Sequence, residues 1–169
     1  KACHVFEKAR NTFAGEVVNP TEGRAAMHMA MRRPCANDEA QNEFLYARNS
    51  MRELAEAIRS GKRRGPTDEP ITDVINIGIG GSNLGPKMVC NALREFADGP
   101  RCHFLSNIDG AELMTLRKKL NPAATAIVIS SKSFTTTETL RNADSTLDWI
   151  SKSLGIDNPA SHAIGITSN

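Results

Sequence analysis

The sequence has no excess of charge of one sign and no long apolar run. Its 21 basic and 19 acidic residues leave a net charge of +2 over 169 residues, which gives no electrostatic argument for binding nucleic acid or an anionic membrane surface. No apolar run approaches the roughly 20 residues that a membrane-spanning helix needs. Aromatic residues are scarce at 5%, but 40% hydrophobic and 24% charged residues are ordinary for a globular protein. We therefore expect a soluble chain whose partners include neither nucleic acid nor membrane.

The sequence also lacks any recognisable pairing of its four cysteines. No two of them form a C-x-x-C pair, and no histidine follows at zinc-ligand spacing, so the pattern predicts neither a metal site nor a disulfide framework. Reduced thiols are typical of a cytoplasmic protein. The four cysteines are Cys3, Cys35, Cys90 and Cys102.

Both ends of the sequence lack the usual signs of a complete chain. It begins at Lys1 with no Met and no signal-peptide pattern, and it stops at Asn169 directly after a strand-like run. We expect a piece of a longer chain. A segment rich in Gly, Pro and charge, Gly61 to Pro70, predicts the internal boundary between a helical lead-in over residues 1–69 and a second unit over residues 70–169.

Helical patterns dominate the lead-in. Apolar residues spaced about four apart predict a helix from Lys1 to Ala14. Asn19-Pro20, an N-cap followed by Pro at the first helical position, predicts a second helix from Thr21 to Met31. A longer apolar stripe predicts a third from Asp38 to Ser60.

Short β-branched runs alternate with helical patterns in the second unit. This alternation predicts βαβ units, and therefore an α/β fold with a parallel sheet sandwiched between helices. The helix before the last strand carries Leu140, Leu147 and Leu154 on one side and ends at Gly155. The four predicted strands are Val74 to Ile79, His103 to Leu105, Ala126 to Ile129 and Ala163 to Thr167.

A loop rich in hydroxyl groups follows the third predicted strand. We call this segment, Ser130 to Thr136, the hydroxyl loop, and it leads directly into a helix. A helix N-terminus offers unpaired backbone N–H groups and the positive end of the dipole, so a phosphate or sulfate fits there, with Lys132 adding a positive charge. The alternative is simple capping, because Thr135 and Glu138 have capping-box spacing.

A glycine-rich segment follows the first predicted strand. We call this segment, Gly80 to Pro86, the glycine loop. With Gly78 it approximates the dinucleotide fingerprint G-x-G-x-x-G, but Asn83 occupies the third glycine position, and Pro86 stands where a P-loop requires Lys.

The two loops share a position in the predicted sheet. Ligands of parallel sheets bind at the carboxyl ends of the strands, where both loops lie. A compact phosphorylated metabolite suits this pair of loops better than an extended dinucleotide.

Four segments, taken in order, resemble the glucose-6-phosphate isomerase family. The first, from Asn19 to Arg24 with His28 and Arg32, is similar to that family's Asn-x-Thr-Glu-x-Arg segment. The other three are Val74 to Pro86, Ser106 to Gly110 and Ser131 to Thr139. The resemblance implies a sugar-isomerase (SIS), flavodoxin-like three-layer domain that interconverts glucose 6-phosphate and fructose 6-phosphate through an enediol.

The resemblance also implies roles for individual residues. Two of them line the sugar and the others hold the phosphate or lie beside it. Ser133 stands where the family usually has Thr, which preserves the hydroxyl, and Thr137 stands where Gln is common. The sugar-lining residues are Gly81 and Ser82, and the phosphate-site residues are Ser131, Lys132, Ser133, Thr136 and Thr139.

The catalytic groups of the family have no match in this sequence. The isomerisation needs an acid, a base and a cation near the enediolate, and the resemblance implies that these lie beyond the end of the chain; His28 and His103 do not replace them. It further implies a homodimer that needs no metal or organic cofactor. Two alternatives remain at this stage, a stand-alone phosphosugar-binding regulatory module and a nucleotide-dependent oxidoreductase domain.

Overall fold

A computed structural model of the chain describes residues 4–18, 20–21, 23–31 and 38–168. The described chain forms five α-helices and four β-strands, with short 3₁₀ turns between some of them. The helices are α1 (Val5–Phe13), α2 (Asp38–Arg59), α3 (Gly81–Ala92), α4 (Ala111–Arg117) and α5 (Thr137–Leu154). The strands are β1 (Asp73–Ile77), β2 (Arg101–Leu105), β3 (Thr125–Ser130) and β4 (Ala163–Ile166).

Two of the three helices predicted for the lead-in are confirmed as α1 and α2. The helix predicted from Thr21 to Met31 is wrong: its described part contains only a 3₁₀ turn, His28–Met31. Gly23 has φ +64°, which is outside the right-handed helical region and therefore interrupts a helix at this position. The predicted N-cap, Asn19, lies outside the described residues.

The chain divides into two compact units, Lys1–Leu54 and Ala55–Asn169. The division falls within α2, so the last residues of that helix belong with the sheet. The boundary predicted between residues 69 and 70 remains a prediction about domain organisation.

The predicted parallel sheet is confirmed. Its four strands lie in the order β2-β1-β3-β4 and all pairs are parallel. After β1 the chain moves to one side of the sheet, and after β2 it returns past β1 to β3 and continues to β4. Because such crossovers are right-handed, α3 covers one face and α4 and α5 cover the other; α3 contacts β1 and β2, and α4 contacts α5.

A buried apolar core holds the sheet to α4 and α5. Each aliphatic or aromatic side chain removed from water there stabilises the fold by about 1.5–3 kcal/mol. Five of these residues are completely covered, and three of the five, Ile75, Ile77 and Ile127, come from the two central strands. The other core residues are Leu105, Leu113, Leu120, Ile129, Ala143, Trp149 and Ile150.

Candidate functional site

The site lies where the strand order reverses. β1 and β3 are neighbours, but the chain leaves them towards opposite sides of the sheet, which creates the crevice where ligands of such sheets bind. The glycine loop follows β1 and the hydroxyl loop follows β3. The topology therefore brings the two segments to the same edge of the sheet, side by side.

Gly78 allows the two loops to pack closely. A Cβ atom at this position would lie 2.9 Å from both the Cβ and the carbonyl oxygen of Ser82, and 3.1 Å from the carbonyl oxygen of Ser130. Real Cβ atoms do not come within 3.0 Å of other atoms, so any other residue would have to displace Ser82 and press on the start of the hydroxyl loop. Ser82 and Ser130 therefore lie close together across Gly78, and the two loops face each other.

Most of the glycine loop is the first part of a helix. α3 begins at Gly81, and Gly80 is its N-cap residue with φ +57°, a conformation that favours glycine. A Cβ atom at Gly80 or Gly81 would meet no atom within 4 Å. These two glycines therefore border open space, whereas Gly78 is closely surrounded by Ser82 and Ser130.

Two asparagines at this site were not predicted as functional residues. Asn76 in β1 donates from Nδ2 to the carbonyl of Ser82 and accepts a hydrogen bond from Ser130 Oγ, both at 3.0 Å. Asn83 is 6% exposed, and its Oδ1 has no hydrogen-bond partner among the described residues. The sequence feature that could have identified Asn76 is its polar side chain within a run of mostly β-branched residues.

The hydroxyl loop is anchored by a residue in an unusual conformation. Phe134 has φ +54°, which is uncommon for a residue with a side chain. Its N–H donates to Ser131 Oγ at 3.1 Å, and its ring packs against the core and lies over Gly165 of β4. The Ser133 and Thr135 hydroxyls share a hydrogen bond of 2.6 Å.

β4 and the residues after it hold the start of the hydroxyl loop. The N–H of Ser131 donates to the carbonyl of Ile166 at 3.0 Å. The carbonyl of Lys132 accepts hydrogen bonds from the Thr167 hydroxyl at 3.1 Å and from the Ser168 hydroxyl at 3.0 Å. These bonds fix the backbone of the loop before α5 begins.

The N-terminus of α5 meets the hydroxyl loop without a side-chain cap. Thr136, and not Thr135, is the N-cap residue, and its side chain makes no capping hydrogen bond, so the alternative of a capping box between Thr135 and Glu138 is not supported. A helix of 18 residues keeps unpaired N–H groups in its first turn, where they can bind an anion.

The predicted phosphate-site residues differ in exposure. Ser131 and Thr139 are buried, at 5% and 1% exposed, whereas Lys132 and Ser133 are exposed.

The two loops can bind a charged ligand but offer little for proton transfer. Lys132 is the single ionisable side chain within them. His103, which we did not assign a catalytic role, lies in the middle of β2 rather than at its start, and its Nε2 is 2.8 Å from Asp73 Oδ1 at the start of β1. No three acidic, histidine or cysteine side chains among the described residues come together as a metal site.

Comparison with known proteins identifies the family. Residues 1–169 match the family profile described as phosphoglucose isomerase. The chain belongs to the phosphoglucose isomerase family. A glucose-6-phosphate isomerase from Cereibacter sphaeroides (strain ATCC 17029) is 46% identical over 154 residues, covering 88% of this chain and 29% of that protein. One from Cupriavidus metallidurans is 45% identical over 166 residues, covering 93% of this chain and 31% of that protein.

A solved structure agrees with this membership, and a second one shows the same fold. A glucose-6-phosphate isomerase from Chlamydia trachomatis superposes with a TM-score of 0.76 at 25% identity, covering 97% of this chain and 32% of that one. Hypothetical protein TT0462 from Thermus thermophilus, at 24% identity and a TM-score of 0.64, shares the fold.

This member of the phosphoglucose isomerase family spans about a third of the length of these glucose-6-phosphate isomerases. Neither the regulatory-module alternative nor the oxidoreductase alternative finds support in these relatives. Within the part of the chain that the structure describes, no helix is both long enough and apolar enough to cross a membrane.

Proposed function

We propose that this chain is the phosphate-binding part of a longer enzyme that interconverts glucose 6-phosphate and fructose 6-phosphate. The observation that carries the proposal is the position of the two loops, which lie side by side where the strand order reverses. One loop is open enough for a sugar, and the other combines hydroxyl groups with an uncapped helix N-terminus. Membership of the phosphoglucose isomerase family supports the choice of substrate.

In this proposal the sugar contacts Gly81 and Ser82, where the backbone borders open space. The phosphoryl group lies at the N-terminus of α5, since unpaired N–H groups and hydroxyl donors match its oxygens. Thr139 is covered in the present conformation, so its hydroxyl reaches the phosphate only if the loop above it moves. The phosphate-site residues remain those predicted from the sequence, Ser131, Lys132, Ser133, Thr136 and Thr139.

We further propose that the acid, the base and the cation for proton transfer come from outside these 169 residues. The chain therefore carries the phosphate-binding part of the site and is inactive alone. Residues 70–169 form the sugar-isomerase domain and residues 1–69 its helical lead-in. The complete enzyme works in the cytoplasm as a homodimer without a metal or organic cofactor, and light scattering of the full-length protein tests the dimer.

The decisive experiment removes two hydroxyl groups from the proposed phosphate site in the full-length enzyme. Hydrogen bonds to a charged group contribute about 1.5–3 kcal/mol each, so the double variant Ser131→Ala with Thr136→Ala should raise KM for fructose 6-phosphate by about a hundredfold or more. The measurement is steady-state isomerisation, together with the inhibition constant of inorganic phosphate, which should rise as well.

The control removes two hydroxyls from the exposed side of the same helix. Ser145 and Ser153 both lie on α5 and are exposed, so Ser145→Ala with Ser153→Ala should leave KM unchanged. The proposal is wrong if the wild-type enzyme does not convert fructose 6-phosphate, and the phosphate site is wrong if both double variants keep the wild-type KM.

A further inference from the structure

Asn76 is a polar residue between two isoleucines of β1. Its neighbours in β1, Ile75 and Ile77, are fully buried, and Asn76 itself is half-buried. A polar side chain at such a position costs stability unless its donors and acceptors are satisfied. Asn76 meets this requirement with one residue from each loop, by donating to Ser82 and accepting from Ser130.

Pro86 explains why the carbonyl of Ser82 needs an outside donor. In an α-helix the carbonyl of residue i accepts from the N–H of residue i+4, which for Ser82 in α3 is Pro86. Proline has no N–H, and its ring also presses on that carbonyl. The Nδ2 group of Asn76 supplies the missing hydrogen bond at 3.0 Å. Since a carbonyl can only accept, the amide nitrogen must face Ser82.

The Oδ1 atom of the same amide completes the connection. It accepts from the Ser130 hydroxyl at 3.0 Å, and Ser130 is the last residue of β3 and the first of the hydroxyl loop. One planar side-chain group therefore joins the first turn of α3 to the start of the hydroxyl loop. The spacing of Ser82 relative to Ser130 depends on this amide and on Gly78.

We propose that Asn76 is a positioning residue that sets the distance between the sugar-binding and phosphate-binding segments of the substrate site. The inference rests on the function proposed above. Asn76 acts through Ser82 and Ser130 rather than by touching the substrate. Because both segments must engage one sugar phosphate at once, an error in their spacing weakens binding of the whole substrate. Inorganic phosphate needs the hydroxyl loop alone and is insensitive to that spacing.

The test compares Asn76→Ala and Asn76→Asp in the full-length enzyme. Displacement of a binding group by about an ångström weakens its effect by one to two orders of magnitude. We therefore expect Asn76→Ala to raise KM for fructose 6-phosphate about tenfold. The inhibition constant of inorganic phosphate should stay within about twofold, and kcat should change little, because uniform binding energy is what is lost. Asn76→Asp keeps the acceptor and loses the donor, so it provides a second variant if the first does not fold.

A further variant separates the hydrogen bond to Ser82 from the connection between the loops. Pro86→Ala restores an N–H that can bond to the Ser82 carbonyl within α3. A bond within α3 does not join that helix to the hydroxyl loop, so adding Pro86→Ala to Asn76→Ala should leave KM raised. The matched control is Val74→Ala, a half-buried side chain two residues earlier on the same face of β1, which should lower the unfolding temperature and leave KM unchanged.

The results distinguish failure of the proposed function from failure of the inference about Asn76. A wild-type enzyme that does not convert fructose 6-phosphate overturns the proposed function and the inference with it. With an active wild type, an unchanged KM in Asn76→Ala and Asn76→Asp overturns the inference alone. It is also overturned if Val74→Ala raises KM equally, if the phosphate inhibition constant rises in parallel with KM, or if adding Pro86→Ala to Asn76→Ala returns KM to the wild-type value.

Discussion

At the scale of single residues, the tightest packing near the proposed substrate site occurs at Gly78. The place of a missing Cβ atom lies 2.9 Å from Ser82 and 3.1 Å from the carbonyl of Ser130, and neither contact is with the far end of a flexible side chain. A methyl group there must therefore move the backbone of one loop. The sequence motif contains several glycines, and the structure distinguishes this one from those that border open space.

We expect Gly78→Ala to raise KM for fructose 6-phosphate in the full-length enzyme and also to destabilise the fold by about 1–3 kcal/mol, because overpacking shifts the backbone. The measurements are steady-state kinetics and thermal unfolding. Gly85→Ala is the control, since a Cβ atom at Gly85 meets nothing within 4 Å. Alanine is more favourable than glycine within a helix by about 1 kcal/mol, so this variant should not lose stability. A Gly78→Ala enzyme with wild-type KM and stability contradicts the packing argument.

At the scale of elements, a buried carboxylate ties β2 to β1. Asp73, at the start of β1, is 1% exposed. Its Oδ2 accepts from Arg101 and from the Thr72 hydroxyl, and its Oδ1 is bonded to His103 Nε2, each at 2.8 Å. Arg101 and His103 both belong to β2, which ends the described sheet on that side. Burial by itself raises the pKa of Asp73, but the hydrogen bonds outweigh burial and lower it.

Asp73→Asn should therefore lower the free energy of unfolding by about 2 kcal/mol, since it removes the charge from several hydrogen bonds. A carboxylate with a lowered folded-state pKa stabilises the fold above its unfolded-state pKa of about 4, and this contribution is lost as pH falls through the folded-state value.

The difference between wild type and Asp73→Asn should be present at pH 7 and shrink below about pH 4. Denaturant titrations at several pH values measure it. Asp148→Asn, which removes an exposed pair with Lys152, is the control and should have little effect. Equal stability of Asp73→Asn and wild type at pH 7 contradicts the expectation.

At the scale of the whole molecule, one buried histidine gives stability a dependence on pH. His162 is 1% exposed, and its Nδ1 is bonded to the carbonyl of Thr125 at 2.7 Å. Its Nε2 is buried and has no hydrogen-bond partner among the described residues. Burial lowers the pKa of His162, and the hydrogen bond to Thr125 opposes this effect only in part.

A histidine with a lowered folded-state pKa binds more protons when the protein is unfolded. Stability is then full above the unfolded-state pKa of about 6.5 and declines as pH falls towards the folded-state value. We expect the unfolding temperature to fall between about pH 7 and pH 5, and His162→Gln to reduce that fall. His28→Gln, at an exposed position, should leave the profile as it is in wild type. An unaltered profile for His162→Gln contradicts the assignment.

The sequence by itself determined the elements and their class. Strand composition, helix periodicity and terminating residues such as Gly155 depend on neighbours within a few positions, so β1 to β4 and α5 were predicted close to their observed bounds. The order of the motifs also indicated the family. The local pattern gave the wrong prediction where one backbone angle determines whether a helix forms. This is the case at Gly23, whose positive φ interrupts the helix predicted from Thr21 to Met31.

Only the tertiary structure decided which residues meet across the sheet. Strand order places β3 beside β1, and this neighbourhood makes Gly78 a packing position and turns Asn76 into a connection between the two loops. Ser82 and Ser130 are 48 positions apart in sequence, and a periodic pattern carries no information about pairs so distant. The positive φ angle of Phe134 likewise depends on a ring held against β4. Contacts of this kind arise when the whole sheet forms, because they require long-range pairing that local preference does not specify.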